Sequence, residues 1–235
     1  WAGHKLEAIT AKFEGNLTAV RGYKVVWAIG GINETVLSGA QFLFLGSVYG
    51  KSFTDAEVSA IRNWFNQGEK TIWVAADSDY GGATYIVDNT NKILEALGSK
   101  IRAEPTAVQD PFSNCAGAYR VRANVTNKAD PDVAGIVSGV NASKGVLFHG
   151  PTILCGYVNG SYVALETKTI KNVYWVMKTG ASGTIVDSDA IMPYAHKNGQ
   201  VGSFVIMAVE KYAGPRGDCK IIVTGENPYG GYQPM

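Results

Sequence analysis

Between Gln41 and Gly98 the chain alternates short apolar runs with amphipathic stretches, and this alternation restricts its fold more than any other feature. Gln41-Phe-Leu-Phe-Leu45 and Thr71-Ile-Trp-Val-Ala75 have the length and composition of strands covered on both faces. Between them, Thr54-Asp-Ala-Glu57 is a capping-box signature, in which the threonine hydroxyl and the glutamate carboxylate each take up a free amide of the first helical turn. Val58, Ile61, Trp64 and Phe65 then share one helical face, and Gly68 supplies a stop. The stretch from Thr84 to Gly98 is again helical, with Ile86, Ile93, Leu94 and Leu97 inward. Strand, helix, strand, helix with short loops predicts an α/β fold, a mostly parallel sheet flanked by helices.

The flanking sequence is read more simply. Leu6, Ala8, Ile9 and Phe13 predict a helix over 4–16, and Tyr23-Lys-Val-Val-Trp-Ala-Ile29 predicts a strand closed by Gly30-Gly31. The second half is β-rich, with strands expected at 119–125, 144–149, 173–177, 203–209 and 219–224. Gly183 to Gly199 shows little periodicity and is expected to cover the sheet edge. Without internal repeats or a dividing linker, the 235 residues form a single domain, 1–235, with ample length for a core.

Composition bears on partners and compartment. A net charge of +1 excludes a strongly basic nucleic-acid binder and an acidic disordered tail. No apolar run reaches the 18 or so residues of a membrane span, and Trp1 does not open a signal peptide. Five Asn-X-Ser/Thr acceptors begin at Asn16, Asn33, Asn124, Asn141 and Asn159, more than chance placement of 14 asparagines gives. With low charge and abundant Gly, Tyr and Thr, they predict an extracellular or cell-surface glycoprotein. In an oxidising compartment Cys115 is expected to pair with Cys155, a loop cysteine being freer to reach its partner, which leaves Cys219 over.

The ordered segments Phe42-Leu-Phe-Leu-Gly46, Phe53-Thr-Asp-Ala-Glu57, Trp64, Gly68-Glu-Lys-Thr-Ile-Trp-Val74, Asn91 to Gly98, Val146-Leu-Phe-His-Gly-Pro151 and Ile221-Ile-Val-Thr-Gly-Glu226 together resemble the class I glutamine-amidotransferase-like (flavodoxin-like) superfamily. The likeness is to its non-catalytic surface and transporter-associated branches. It implies a module beside a transporter or within a larger surface assembly. The family fold adds a helix after its last strand, so the resemblance implies a fragment of a longer chain. Where catalytic members carry a cysteine, this sequence has Val74-Ala-Ala-Asp-Ser-Asp79 and therefore lacks the thiolate that amide attack requires. Phe148-His-Gly-Pro151 resembles the cysteine elbow of other members but has Phe in its place, and reads as a strand end and turn.

Asp77, Ser78, Asp79 and Tyr80 end a predicted central strand, where open α/β sheets place ligands, and His149 and Glu226 end two others. These six are the candidate binding residues. Asp77-Ser-Asp79, Asp187-Ser-Asp189 and Glu226 offer oxygen ligands, and calcium is the one cofactor candidate, although turn formation explains such tripeptides more simply. His4, His149 and His196 have no ligand spacing, His196 lying in a Lys-Asn-Gly loop. The expectation is a non-catalytic module binding a sugar, a peptide or a protein, or self-associating. The alternative is a hydrolase, cation-dependent or not, using a Ser78–His149 dyad or the carboxylates.

Overall fold

A computed structural model describes residues 14–28, 30–187 and 189–227. The helix expected over 4–16 lies almost wholly outside them. After a π-helical turn at Asn16–Val20 the chain runs to Ala28 without regular structure, so the strand expected at 23–29 is not formed over its described part. Tyr23 and Val26 are exposed there, and that stretch pairs with no strand among the described residues.

A short helix α1 (Glu34–Leu37) follows, capped by Asn33, whose Oδ1 accepts the Val36 amide at 3.0 Å. The first strand–helix alternation is β1 (Phe42–Leu45), α2 (Asp55–Phe65), β2 (Thr71–Ala75) and α3 (Thr84–Ala96). Helix α2 forms the capping box: the Thr54 hydroxyl accepts the Glu57 amide at 3.2 Å, and Glu57 accepts the Thr54 amide at 2.9 Å. It buries Ala60, Ile61, Trp64 and Phe65. Strands β3 (Ile101–Ala103), β4 (Ala107–Gln109), β5 (Arg120–Ala123), β6 (Val125–Thr126), β7 (Val146–His149), β8 (Leu154–Val158) and β9 (Ser161–Ala164) come next. The last five are β10 (Val173–Lys178), β11 (Gly183–Val186), β12 (Val201–Gly202), β13 (Val205–Ala213) and β14 (Cys219–Thr224).

The main sheet has the order β1-β2-β14-β13-β10-β6. Only β1–β2 and β2–β14 are parallel, while β14–β13, β13–β10 and β10–β6 are antiparallel. Among the described residues there are also three small antiparallel sheets, β12-β11-β4, β3-β8-β9 and β5-β7. The expected mostly parallel, helix-flanked sheet is therefore corrected to a strand-rich mixed architecture, with 30% strand and 17% helix among the described residues. The reason is connectivity. A parallel neighbour needs a long crossover, whereas a tight turn returns the chain antiparallel. Helix α2 makes such a crossover between β1 and β2, but β8 and β9 are joined by Asn159-Gly160 alone, with φ of 53° and 79°. Asn-Gly favours this two-residue hairpin turn because both residues tolerate positive φ. The segment expected to cover the sheet edge supplies β11 instead, and β1 is itself an edge strand with Phe42 46% exposed.

The strands alternate between two cores. Ile72, Val74, Ile221 and Val223 pack into the cluster containing Trp64, Phe65, Ile93 and Leu94. Trp73 and Ile222, one residue out of phase, pack against a second cluster around Phe148, Ile153, Ile185 and Phe204. This period of two is what a sheet covered on both faces requires.

Candidate functional site

Because β1, β2 and β14 are parallel neighbours, their carboxyl ends open at one edge. There Asn227 ties the first to the last. Its Oδ1 accepts the Ser47 amide at 2.8 Å, and its Nδ2 donates to the Ser47 hydroxyl. Gly225 admits the turn after β7: the Thr152 amide donates to the Gly225 carbonyl at 3.0 Å, and a Cβ on Gly225 would lie 2.1 Å from the Thr152 oxygen. That close approach brings His149 and Gly150 beside the end of β14, and a Cβ on Gly150 would lie 4.0 Å from the Ser78 hydroxyl.

Asp77, Ser78, His149 and Glu226 are thus neighbours, as a strand-end site requires. Glu226 accepts the backbone amide of His149, while the His149 ring packs edge-on to Tyr119 at 5.1 Å. Asp77 accepts the Ser78 amide at 2.7 Å and the Tyr49 hydroxyl. Burial lifts the Asp77 carboxyl to about 6 against these two hydrogen bonds. Burial lifts Glu226 to about 9, with the Asp77 charge adding to the rise and the His149 amide opposing it. The two carboxylates share a poorly solvated edge, and only one is ionised near neutral pH.

Asp79 belongs to a different group. Its own carbonyl accepts the Gly82 and Ala83 amides at 3.0 and 2.8 Å, a turn that swings its side chain towards the loop after β11. One oxygen from each of Asp79, Asp187 and Asp189 lies within 4.8 Å of the others. Asp189 also accepts the Thr84 hydroxyl at 3.0 Å. Burial first, then the Asp189 and Asp187 charges, raise the Asp79 carboxyl to about 7. Tyr80, next in sequence, is 72% exposed and turned to solvent, as are Ile191 and Met192 beyond Asp189.

The most heavily buried ion pairs among the described residues escaped the sequence. His196 is sandwiched between Glu104 and Glu166, with Nδ1 2.6 Å from Glu104 and Nε2 3.1 Å from Glu166. Burial works against its charge, but the hydrogen bonds to Glu104 and Glu166 and their charges outweigh that and raise it to about 9. Glu104 and Glu166 lie 92 and 30 residues away in the chain, so no local spacing announces them.

The remaining candidates have local structural roles. Asn33 is a helix cap, Asn159 a hairpin turn, and Asn141 accepts the Ser143 and Lys144 amides at 3.0 Å each. Asn124 donates to the Ala142 carbonyl at 3.5 Å, and Asn16 opens the π-helical turn. Cys115, Cys155 and Cys219 are free thiols, so the Cys115–Cys155 pair is not formed. Cys155 sits inside β8 with its thiol directed at Glu104, and burial pushes that thiol well up. Among the described residues no helix is long and apolar enough to cross a membrane.

No protein-family model and no curated protein sequence matches the chain. One solved structure, described as "mmIFT52 N-terminal domain", is similar in fold at 15% sequence identity, with a TM-score of 0.59 over 93% of this chain and 81% of that one. This likeness overturns the resemblance to glutamine-amidotransferase-like proteins, which nothing in the comparisons supports. The surface-glycoprotein assignment and the extracellular placement read from the Asn-X-Ser/Thr acceptors are corrected as well, since the structural neighbour is named for IFT52 and not for a cell-surface protein. What the chain shares with a known protein is the fold of an IFT52 N-terminal domain.

Proposed function

We propose that this chain is a non-catalytic module that binds a protein partner through the loops at the carboxyl ends of β2 and β11. The observation that carries the proposal is a contrast within those loops and their neighbours. The polar groups that would do chemistry are held locally: Asp77 by the Ser78 amide and the Tyr49 hydroxyl, Glu226 by the His149 amide. The apolar groups Tyr80, Ile191 and Met192 are exposed, as the anchors of a protein interface would be. The fold neighbour, a domain of a transport complex, supports a protein over a sugar or a small molecule.

The hydrolase alternative is favoured by one observation, the Asp77–Glu226 pair, whose carboxyls sit near 6 and 9 at a strand-end edge. Such separation suits a general base and a general acid. One experiment separates the two. A photo-crosslinker at Tyr80 or Met192, compared with one at exposed Tyr212 on β13, should join a protein partner only from the first two positions. Crosslinking from Tyr212 alone refutes the binding surface. Turnover of an ester, amide or glycoside panel that disappears in Ser78→Ala or Asp77→Asn refutes the non-catalytic reading.

A further inference from the structure

We infer that Asp79, Asp187 and Asp189 form a binding site for a calcium ion, joining the loop after β2 to the loop after β11. The inference stands on the geometry of these three residues and is independent of the binding function proposed above.

Asp79 is fully buried, and neither of its carboxylate oxygens has a hydrogen-bond partner. A buried carboxylate with no donor is costly, so what satisfies it is a question the site must answer. The charges acting on it are the two neighbouring carboxylates, both of its own sign. Helix α3 begins at Thr84, and its positive end favours acidic neighbours. Its Thr84 hydroxyl, however, is given to Asp189, so that only the backbone amide of Asp79 itself acts to lower the carboxyl and neither oxygen has a hydrogen-bond partner. A proton on Asp79 would relieve the repulsion yet leave an acceptor oxygen unsatisfied. A cation satisfies oxygens without needing donors.

The other two carboxylates are held in the manner of ligands. Asp187 Oδ1 accepts the Asp189 amide at 3.2 Å, while its Oδ2 is buried and unpartnered. Asp189 uses one oxygen for the Ile191 amide at 2.7 Å and the other for Thr84. Hydrogen bonds of this kind fix the orientation of a metal-binding carboxylate. Three buried oxygens, both of Asp79 and one of Asp187, are left for an ion, with Asp189 beside them.

The ligand chemistry selects the ion. All donors are oxygens, with no thiol or imidazole among them, which suits a hard cation over zinc. The oxygens lie within 4.8 Å of one another, close enough for one ion to reach all three residues, and an irregular set of loop carboxylates suits the flexible coordination of calcium over the near-ideal octahedron that magnesium demands. Water fills the remaining positions of the 6–8 that calcium takes.

The test is thermal unfolding of chelator-treated protein titrated with CaCl2, in parallel with terbium luminescence sensitised by nearby tyrosine. At a hundredfold excess of calcium over Kd the midpoint should rise by roughly 5–10 °C. Asp187→Asn and Asp189→Asn should lose the rise and the luminescence. Asp79→Asn should lose both as well, yet melt higher than wild type without calcium, because it removes an uncompensated buried charge; a purely structural aspartate would melt lower. Surface Asp132→Asn should retain the full response. No saturable rise up to millimolar calcium overturns the site, as does a rise retained by the three variants. A rise given by MgCl2 and not by CaCl2 overturns the assignment to calcium.

Discussion

The Glu104–His196–Glu166 group makes a quantitative prediction. Its imidazole has an ordinary value of 6.5 and is raised to about 9 in the fold. A group raised on folding stabilises the native state fully below its unfolded value and loses that contribution as pH climbs through the folded one. For 6.5 and 9 the contribution is about 3 kcal/mol at pH 7 and well under 1 kcal/mol at pH 9. Glu166→Gln removes the more distant of the two carboxylates, 3.1 Å from Nε2, and leaves His196 paired with Glu104 at 2.6 Å. Loss of one adjacent charge lowers the titration midpoint of His196 by about one unit. The variant should then be less stable than wild type by about 1 kcal/mol at pH 7, the gap narrowing to a fraction of that by pH 9. Urea unfolding followed by tryptophan fluorescence gives the difference, and histidine NMR titration gives the midpoint. Glu226, raised in both proteins alike, cancels from the difference. A wild-type midpoint at or below 6.5, or a gap that does not change with pH, would refute the ionic sandwich.

Other outcomes follow from single contacts. Asn91 joins α3 to β3 by donating to the Ala103 carbonyl and accepting its amide, each at 2.9 Å. Asn91→Ala strands both groups and should cost about 2–4 kcal/mol by urea unfolding. Gly225→Ala forces a Cβ against the Thr152 oxygen, at 2.1 Å, and should cost about 1–3 kcal/mol, with His149 losing its contact to Glu226 in amide NMR spectra. Of the three thiols, half-buried Cys115 should react with a chromogenic disulfide in the native state, and Cys155 and Cys219 only in denaturant. Rapid reaction of Cys155 would contradict its placement beside Glu104.

The elements legible in the sequence are those whose causes are local. The Thr54–Glu57 box closes within one turn, and Ile86, Ile93 and Leu94 show their buried face through spacing alone. Sheet direction is a different matter. β2 pairs with β14, which lies some 150 residues on, and nothing within either run states whether the partner arrives parallel or antiparallel. Two apolar runs separated by a helix suggest a mostly parallel sheet, but the second half returns through tight turns. One of those turns was readable. Asn159-Gly160 is a strong hairpin signal, and the glycosylation pattern that shares its asparagine concealed it.

The polar site was half legible for a related reason. Asp77 and Asp79 are two residues apart, and in a continuing strand they would point to the same face. The strand ends at Ala75, however, and the turn closed by Gly82 and Ala83 onto the Asp79 carbonyl directs the second carboxylate elsewhere. Asp77 therefore joins Glu226, and Asp79 joins Asp187 and Asp189. One tripeptide serves two sites with different electrostatics. Asp77 shares an edge where hydrogen bonds already account for the carboxylates, and nothing further is needed to hold them. Asp79 sits where neither carboxylate oxygen has a hydrogen-bond partner and only its own backbone amide lowers its carboxyl, beside two charges of its own sign, and there the physical requirement for a cation is greatest.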